Sequence, residues 1–144
     1  MIDVNSVTAS VFTLLSSDSV LVSSGFTVQE GEAFNREITH TPWVGIYYGD
    51  MTIDPRTLGG NQPWQADLNL LLYVQEGSHH SGQEATRLLA SAQTRVLEAI
   101  NRNKSLSGAA HMITGFVVTP YQRDLTEDTW FFTNEISLKT RLTG

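Results

Sequence analysis

The sequence predicts an α+β fold: a four-stranded, mostly antiparallel sheet, with room for one parallel pair, and two helices packed on one face. Three observations carry this. From Ala66 to Val74 the side chains alternate, with Ala66, Leu68, Leu70, Leu72 and Val74 on one face and Asp67, Asn69, Leu71, Tyr73 and Gln75 on the other, the period of a half-buried strand. From Gly82 to Asn103 the period becomes helical. Ala85, Leu88, Leu89, Ala92, Val96, Ala99 and Ile100 share one stripe, and Glu84, Arg87, Ser91, Arg95, Glu98 and Arg102 share the opposite one. The order of apolar segments along the chain is helix, hairpin, helix, hairpin.

Each element has its own local reason. Val4, Val7, Val11, Leu14 and Leu15 form a narrow apolar stripe, and Asp3 or Asn5 can cap a first helix that ends near Ser16. Its β-branched content makes it a weak helix alone, so it needs packing. Ser16–Ser24 reads as a turn with room for one further helical turn. In Gly25–Thr41, Phe26 and Val28 alternate as in a short strand, while Gln29–Ala33 reads as an exposed acidic loop. Pro42–Ile53 is a strand with apolar residues on both faces, which predicts cover on both sides.

Asp54–Pro63 is dense in turn formers and makes a long hairpin tip before the return strand Trp64–Gln75. Glu76-Gly77-Ser78 is expected to end that strand. Ser81 and Glu84 have the spacing of a capping box, and no Gly or Pro interrupts Gln83–Asn103, roughly 30 Å of helix at about 1.5 Å per residue. After a loop at Lys104–Ala110, Met112–Tyr121 is a strand, with Pro120 at its end or on an edge. Gln122–Asp128 is a polar turn. Thr129–Leu142 is the last strand, with Trp130, Phe132, Ile136, Leu138 and Leu142 on its core face.

Composition narrows the function classes. The length of 144 residues fits one domain spanning 1–144, and 40% hydrophobic content suffices for one core. Charged residues are 17%, below the usual quarter or so, with Ser and Thr in their place, a texture that suits buried contacts in an assembly. The net charge of −6 lies wholly in residues 1–54, where seven acids face one base; residues 55–144 carry eight of each and sum to zero. Ordinary nucleic-acid binding is therefore disfavoured, because it depends on Lys and Arg at phosphates. There is no cysteine, which excludes disulfides, thiolate nucleophiles and cysteine metal sites. Met1-Ile2-Asp3 lacks the basic region of a signal peptide, and no apolar run approaches the ~20 residues of a membrane span.

No catalytic or cofactor constellation stands out. His79 and His80 precede the helix; His80 and Glu84, four apart, are spaced for a shared face but lack a third ligand, and the histidines belong in a strand-to-helix turn. Asp50 and Asp54 flank Met51-Thr52-Ile53, yet no calcium-loop or glycosidase pattern surrounds them, and Asp54-Pro55 starts a turn. Gly59-Gly60 has no following Lys-Ser/Thr, and no nucleophile elbow occurs. The expectation is a non-enzymatic chain without cofactor or metal.

The stretches WQADLNLLLYVQEGSHHSGQEATRLLASAQTRVLEAI and GFVVTPYQRDLTEDTWFFTNEISLKTRL, strand into long helix and final hairpin, resemble the tail-terminator, or tail-completion, proteins of long-tailed bacteriophages. The resemblance covers most of the chain as an arrangement; Gly25–Thr41 departs from it. It implies a virion protein of the tail or neck, assembled in the host cytoplasm. Six copies would form a ring on the completed tail tube, stop its polymerisation and join a neck or head-completion protein, with DNA passing through only as cargo and no membrane involved. Six copies at −6 give a ring of about −36, and an acidic channel would repel phosphates rather than trap them. The alternatives are another neck protein, a stopper or adaptor, or a small-ligand-binding α+β domain.

Two surfaces follow as candidates. A domain of this length spans about 35–40 Å, whereas the strand Trp64–Glu76 reaches about 43 Å when extended, so the hairpin tip overhangs. Ile53, Asp54, Arg56, Leu58 and Trp64 there mix apolar anchors with a polar rim and are the expected docking residues for the tail tube or a neighbouring subunit. The charged stripe Arg87, Arg95, Glu98 and Arg102 is the candidate subunit-facing side of the long helix.

Overall fold

A computed structural model describes residues 4–31, 41–57, 65–102 and 111–143. The elements in order are α1 (Val4–Ser17), α2 (Ser19–Ser23), β1 (Thr27–Glu30), β2 (Trp43–Ile53), a 3-10 turn at Pro55–Thr57, β3 (Gln65–Ser78), α3 (Gly82–Arg102), β4 (His111–Thr126) and β5 (Thr129–Thr143). The five strands form one mixed sheet in the order β1-β2-β3-β5-β4.

The class is the predicted one, and the expected strand and helix numbers need correction. The sheet has five strands rather than four, because Thr27–Glu30 pairs in parallel with Trp43–Ile46. Gln29 and Glu30, read as loop from their polarity, are strand because pairing satisfies the backbone whatever the side chains are. Gln29 gains a partner as well: its Oε1 accepts from the Trp43 indole at 2.8 Å. Among the described residues the one parallel pair therefore lies at this rim. It does not arise across the long helix, since β5 lies between β3 and β4, the two strands that α3 connects.

Among the described residues there are also three α-helices rather than two. Asp18 caps the short α2, its carboxylate accepting from the amides of Val20 and Leu21 at 3.1 and 3.2 Å. Burial of Leu21 completes the anchoring of this turn.

β3 is the middle strand of the sheet, held antiparallel by β2 on one side and β5 on the other. It runs three residues past its expected end, with Glu76, Gly77 and Ser78 opposite Phe132, Phe131 and Trp130. The glycine fits here because the Phe131 ring crosses it: a Cβ at Gly77 would stand 3.1 Å from that ring. Only then does α3 start, with the Ser81 hydroxyl accepting from the Glu84 amide at 3.1 Å as the capping box requires.

The predicted core is the observed one, though Leu88 and Trp130 are only half-buried. Val7, Val11, Leu14 and Leu15 of α1, Leu68, Leu70, Leu72 and Val74 of β3, Leu89, Ala92 and Val96 of α3, and Phe132, Ile136, Leu138 and Leu142 of β5 bury into one cluster. Thr140 lies among them and donates its hydroxyl to the Leu68 carbonyl at 2.9 Å. Strand β2 is covered on both faces at Trp43–Ile46, as its two-sided apolar pattern predicts. Trp43 belongs to a second cluster with Tyr73 on the face turned away from the helices. Its ring lies so close over Gly45 that an added Cβ would stand 2.3 Å from it, which fixes Gly at that position.

The β4–β5 hairpin is longer than its sequence suggests. The polar segment Gln122–Thr126 pairs with Thr129–Thr133, and only Glu127 and Asp128 remain in the turn, at φ 49° and 68°. Two consecutive positive φ values are the geometry of a two-residue hairpin turn whose twist matches its strands. Pro120 falls on the rim strand beside a register shift between Pro120 and Gln122, where a missing N–H is tolerated.

Leu89→Ala should cost about 2–5 kcal/mol of stability, the range for truncating a fully buried Leu. Arg87→Ala, on the exposed side of the same helix, should change it by less than about 0.5 kcal/mol. Urea unfolding of the two variants checks this; the reverse order would place the helix in the wrong phase.

Candidate interaction surfaces

The predicted docking tip is described in part, and Leu58 and Trp64 lie outside the described residues. Ile53 and Asp54 are half-buried and Arg56 is exposed. Asp54 accepts from the Arg56 side chain at two atoms, Nε at 3.1 Å and Nη2 at 2.9 Å, and from the Arg56 amide at 3.0 Å. The Arg56 guanidinium holds the Asp54 carboxyl below its ordinary value of 3.8. The Asp54 amide in turn donates to the Gln65 carbonyl at 2.9 Å, which closes the base of the hairpin. The Asp54 carboxylate is thus engaged by Arg56, and Asp50 is exposed on β2.

On α3, Arg87, Arg95, Glu98 and Arg102 are exposed as the helical period predicts. Arg102 also reaches inside its own chain, its Nη2 lying 2.7 Å from Asp18 Oδ2. Partial burial works against the Asp18 charge, but this bond and the two capping amides outweigh it and keep the carboxyl below 3.8. One carboxylate therefore caps α2 and ties it to the last turn of α3. His79 Nδ1 shares a hydrogen bond with Thr129 Oγ1 at 2.9 Å. Among the described residues no group of three His, Asp or Glu is placed to hold a metal, and no helix is long and apolar enough to cross a membrane.

The structure adds surfaces that sequence reasoning did not single out. Eight large apolar side chains are exposed among the described residues: Val20 and Val22 on α2, Tyr48 and Met51 on β2, and Phe116, Val117, Tyr121 and Leu125 on β4. Half of them fall on one rim strand. From Ile113 to Gln122 that strand holds no charged residue, so it lacks the lysines with which monomeric proteins blunt a sheet edge. This absence of charge in an otherwise β-forming stretch was the available signal. Further along, Arg123 pins the strand in place. Its guanidinium donates to Thr133 O at 2.7 Å and Asn134 Oδ1 at 2.9 Å, and lies 5.0 Å from the centre of the Phe132 ring.

On the face away from the helices, Tyr73 stands between Tyr47 and Tyr121, with ring centroids 5.6 and 4.9 Å apart in edge-on contacts. Burial pushes the Tyr73 hydroxyl up to about 12, and its hydrogen bond to Glu135 acts in the same direction. On the helix side Glu76 is 8% exposed. Burial raises its carboxyl above 4.5, against the opposing pull of the Gly77 amide, Arg95 and Thr41.

These features define a class: a two-layer α+β domain with helices on one sheet face and apolar side chains exposed on opposite rim strands. The fold is similar to that of a chain in the solved structure of the virion of native gene transfer agent (GTA) particle. The two superpose with a TM-score of 0.58 over 95% of this chain and 94% of that one, at 14% sequence identity. No protein-family model matches the chain, and no curated protein does.

The buried Glu76 sets a pH dependence of stability. Its folded pKa is raised, so the folded state holds a proton that the unfolded chain has released, and stability falls as pH rises from about 4.5 through the folded value. Glu76→Gln keeps an acceptor for the Gly77 amide and removes the charge. Thermal unfolding should show the variant more stable than the parent at pH 7 and nearly equal to it at pH 4; equal behaviour at both would place the carboxylate in a solvated site.

Proposed function

We propose that this chain is a structural component of a phage-like virion that caps the tail tube as a closed ring of six copies, ends tube polymerisation and joins the tail to the neck. The single observation that carries this reading is the fold likeness to a chain of the gene transfer agent virion, which spans nearly the full length of both chains. The apolar rim strands support it, because a ring needs two complementary surfaces on opposite sides of each subunit. The resemblance of the β3–α3 and β4–β5 stretches to tail terminators supplies the finer role.

In this reading the chain has no catalytic task. Its partners are further copies of itself, the tail tube protein and a neck or head-completion protein, and DNA crosses the lumen as cargo. The hairpin tip with Ile53, Asp54, Arg56, Leu58 and Trp64 meets the tube or the next subunit. The charged side of α3, with Arg87, Arg95 and Glu98, faces a neighbouring subunit. The excess acid of residues 1–54 favours passage of DNA over its retention.

Native mass spectrometry and negative-stain imaging, across protein and Mg²⁺ concentrations, should show a closed ring that seats on the ends of isolated tail tubes and halts their growth. A strict monomer that also fails to assemble on tubes overturns the reading. A ring that binds neck proteins and ignores tubes would favour a stopper or adaptor.

A further inference from the structure

Strand β4 pairs with β5 on one side and with no strand on the other among the described residues. Its ladder with β5 shifts register at two places, between Ile113 and Gly115 and between Pro120 and Gln122. Gly115–Thr119, between them, pairs regularly. Phe116 lies opposite Leu138 and Val118 opposite Ile136, both fully buried, so Phe116 and Val118 point to the helix side. Phe116 ends a row that crosses the sheet through Leu138 and Leu70 to Tyr48. Val117, opposite Ser137, points to the other face. Phe116 is 44% exposed and Val117 52%.

A strand that covers this edge must present unpaired main chain of its own. The opposite rim of a second copy does not. There β1 fills the outer side of Trp43–Ile46, and the Gly31 amide closes that ladder on the Ile46 carbonyl at 3.0 Å. The stretch beyond it, Tyr48–Ile53, is short, and its ladder with β3 shifts register between Tyr48 and Met51. An antiparallel β4 centred there would run on into the place of β1. Among the described residues, the edge of this chain that is long, regular and open is β4 itself.

β4 is also complementary to itself. A two-fold axis through Val117, normal to the sheet, sets two copies of the strand antiparallel and keeps both helix layers on one side. Opposite residues then share a face: Val117 meets Val117, Phe116 meets Val118 on the helix side, and Gly115 meets Thr119. Ile113–Gln122 carries no charge, so no like charges oppose one another along this stretch, and the first charged side chains, Arg123 and Asp124, lie beyond it. The two register shifts bound the segment that fits.

We propose that the free chain forms a two-fold dimer through this rim: Gly115–Thr119 of β4 pairs antiparallel with the same residues of a second copy, Val117 against Val117 and Phe116 against Val118. Main-chain bonds supply the attraction, and the apolar pairs set the register. The contact is isologous, so it joins two copies and stops. It goes beyond the ring reading and does not rest on it: it covers the exposed edge of the chain before assembly and leaves the hairpin tip and the charged side of α3 free.

The natural absence of cysteine gives a direct test. In Val117→Cys, mild oxidation of the free protein should give covalent dimers and nothing larger. Val22→Cys, exposed on α2, is the control and should stay largely uncoupled. In a second arm, Val117→Lys and Val117→Glu each set like charges opposite one another, and each should weaken the dimer by about tenfold or more in sedimentation equilibrium. An equimolar mixture of the two should recover association as a mixed dimer, all with parental circular dichroism. A free parent protein that stays monomeric overturns the pairing. So does an oligomer that neither cross-links at Val117 nor responds to the charged variants. Capping of tail tubes by Val117→Lys reports on the ring independently, so the two readings fail separately.

Discussion

The structure depends on the burial of one face of β3 against α3, beside which α1 packs over β1 and β2. Leu68, Leu70, Leu72 and Val74 are all fully enclosed, and the strand that carries them pairs along both sides. Pairing satisfies its backbone groups, so the interior holds apolar side chains without orphaned donors. Because side chains alternate on a strand, a slip of one residue would exchange Leu70 for Leu71 and set Asp67 and Asn69 against the helices. The register of β2 and β5 is fixed by the same constraint, since each must bring its own apolar set level with that of β3.

Two consequences reach the surface. With β3 at the centre, the sheet must end in strands paired on one side only. At one end a four-residue β1 covers part of β2. At the other, β4 runs for sixteen residues with exposed apolar side chains and, among the described residues, no covering helix. Such a strand is a liability in a monomer and an asset in a polymer of fixed geometry. The second consequence is local electrostatics. Glu76, carried to the helix side by the same alternation, is enclosed, and its charge is disfavoured. Asp18, at the rim of the helix layer, keeps its charge through Arg102 and the α2 amides. The two carboxylates differ in the donors within reach: two amides and a guanidinium contact Asp18, whereas Glu76 has the Gly77 amide and Thr41 and, among the described residues, no guanidinium bond, Arg95 acting on it from a distance.

Periodicity by itself determined the helix-on-sheet core: which faces of α1, β3, α3 and β5 are buried, where α3 is capped, and that the chain is α+β. These are local properties, written in spacings of two and of three to four residues, and burial follows them directly. What only the tertiary structure decided depends on partners distant in sequence. Gln29 and Glu30 become strand because Trp43–Ile46 lies beside them, and Gln122–Thr126 because Thr129–Thr133 does. Polar side chains in both segments concealed the pairing, since a strand at a rim has no need of an apolar face. Strand order is likewise invisible locally, because no single segment records that β5 enters between β3 and β4. The alignment of Tyr48 with Phe116 emerges only when four strands are in register, as the two residues are far apart in sequence and joined through Leu70 and Leu138.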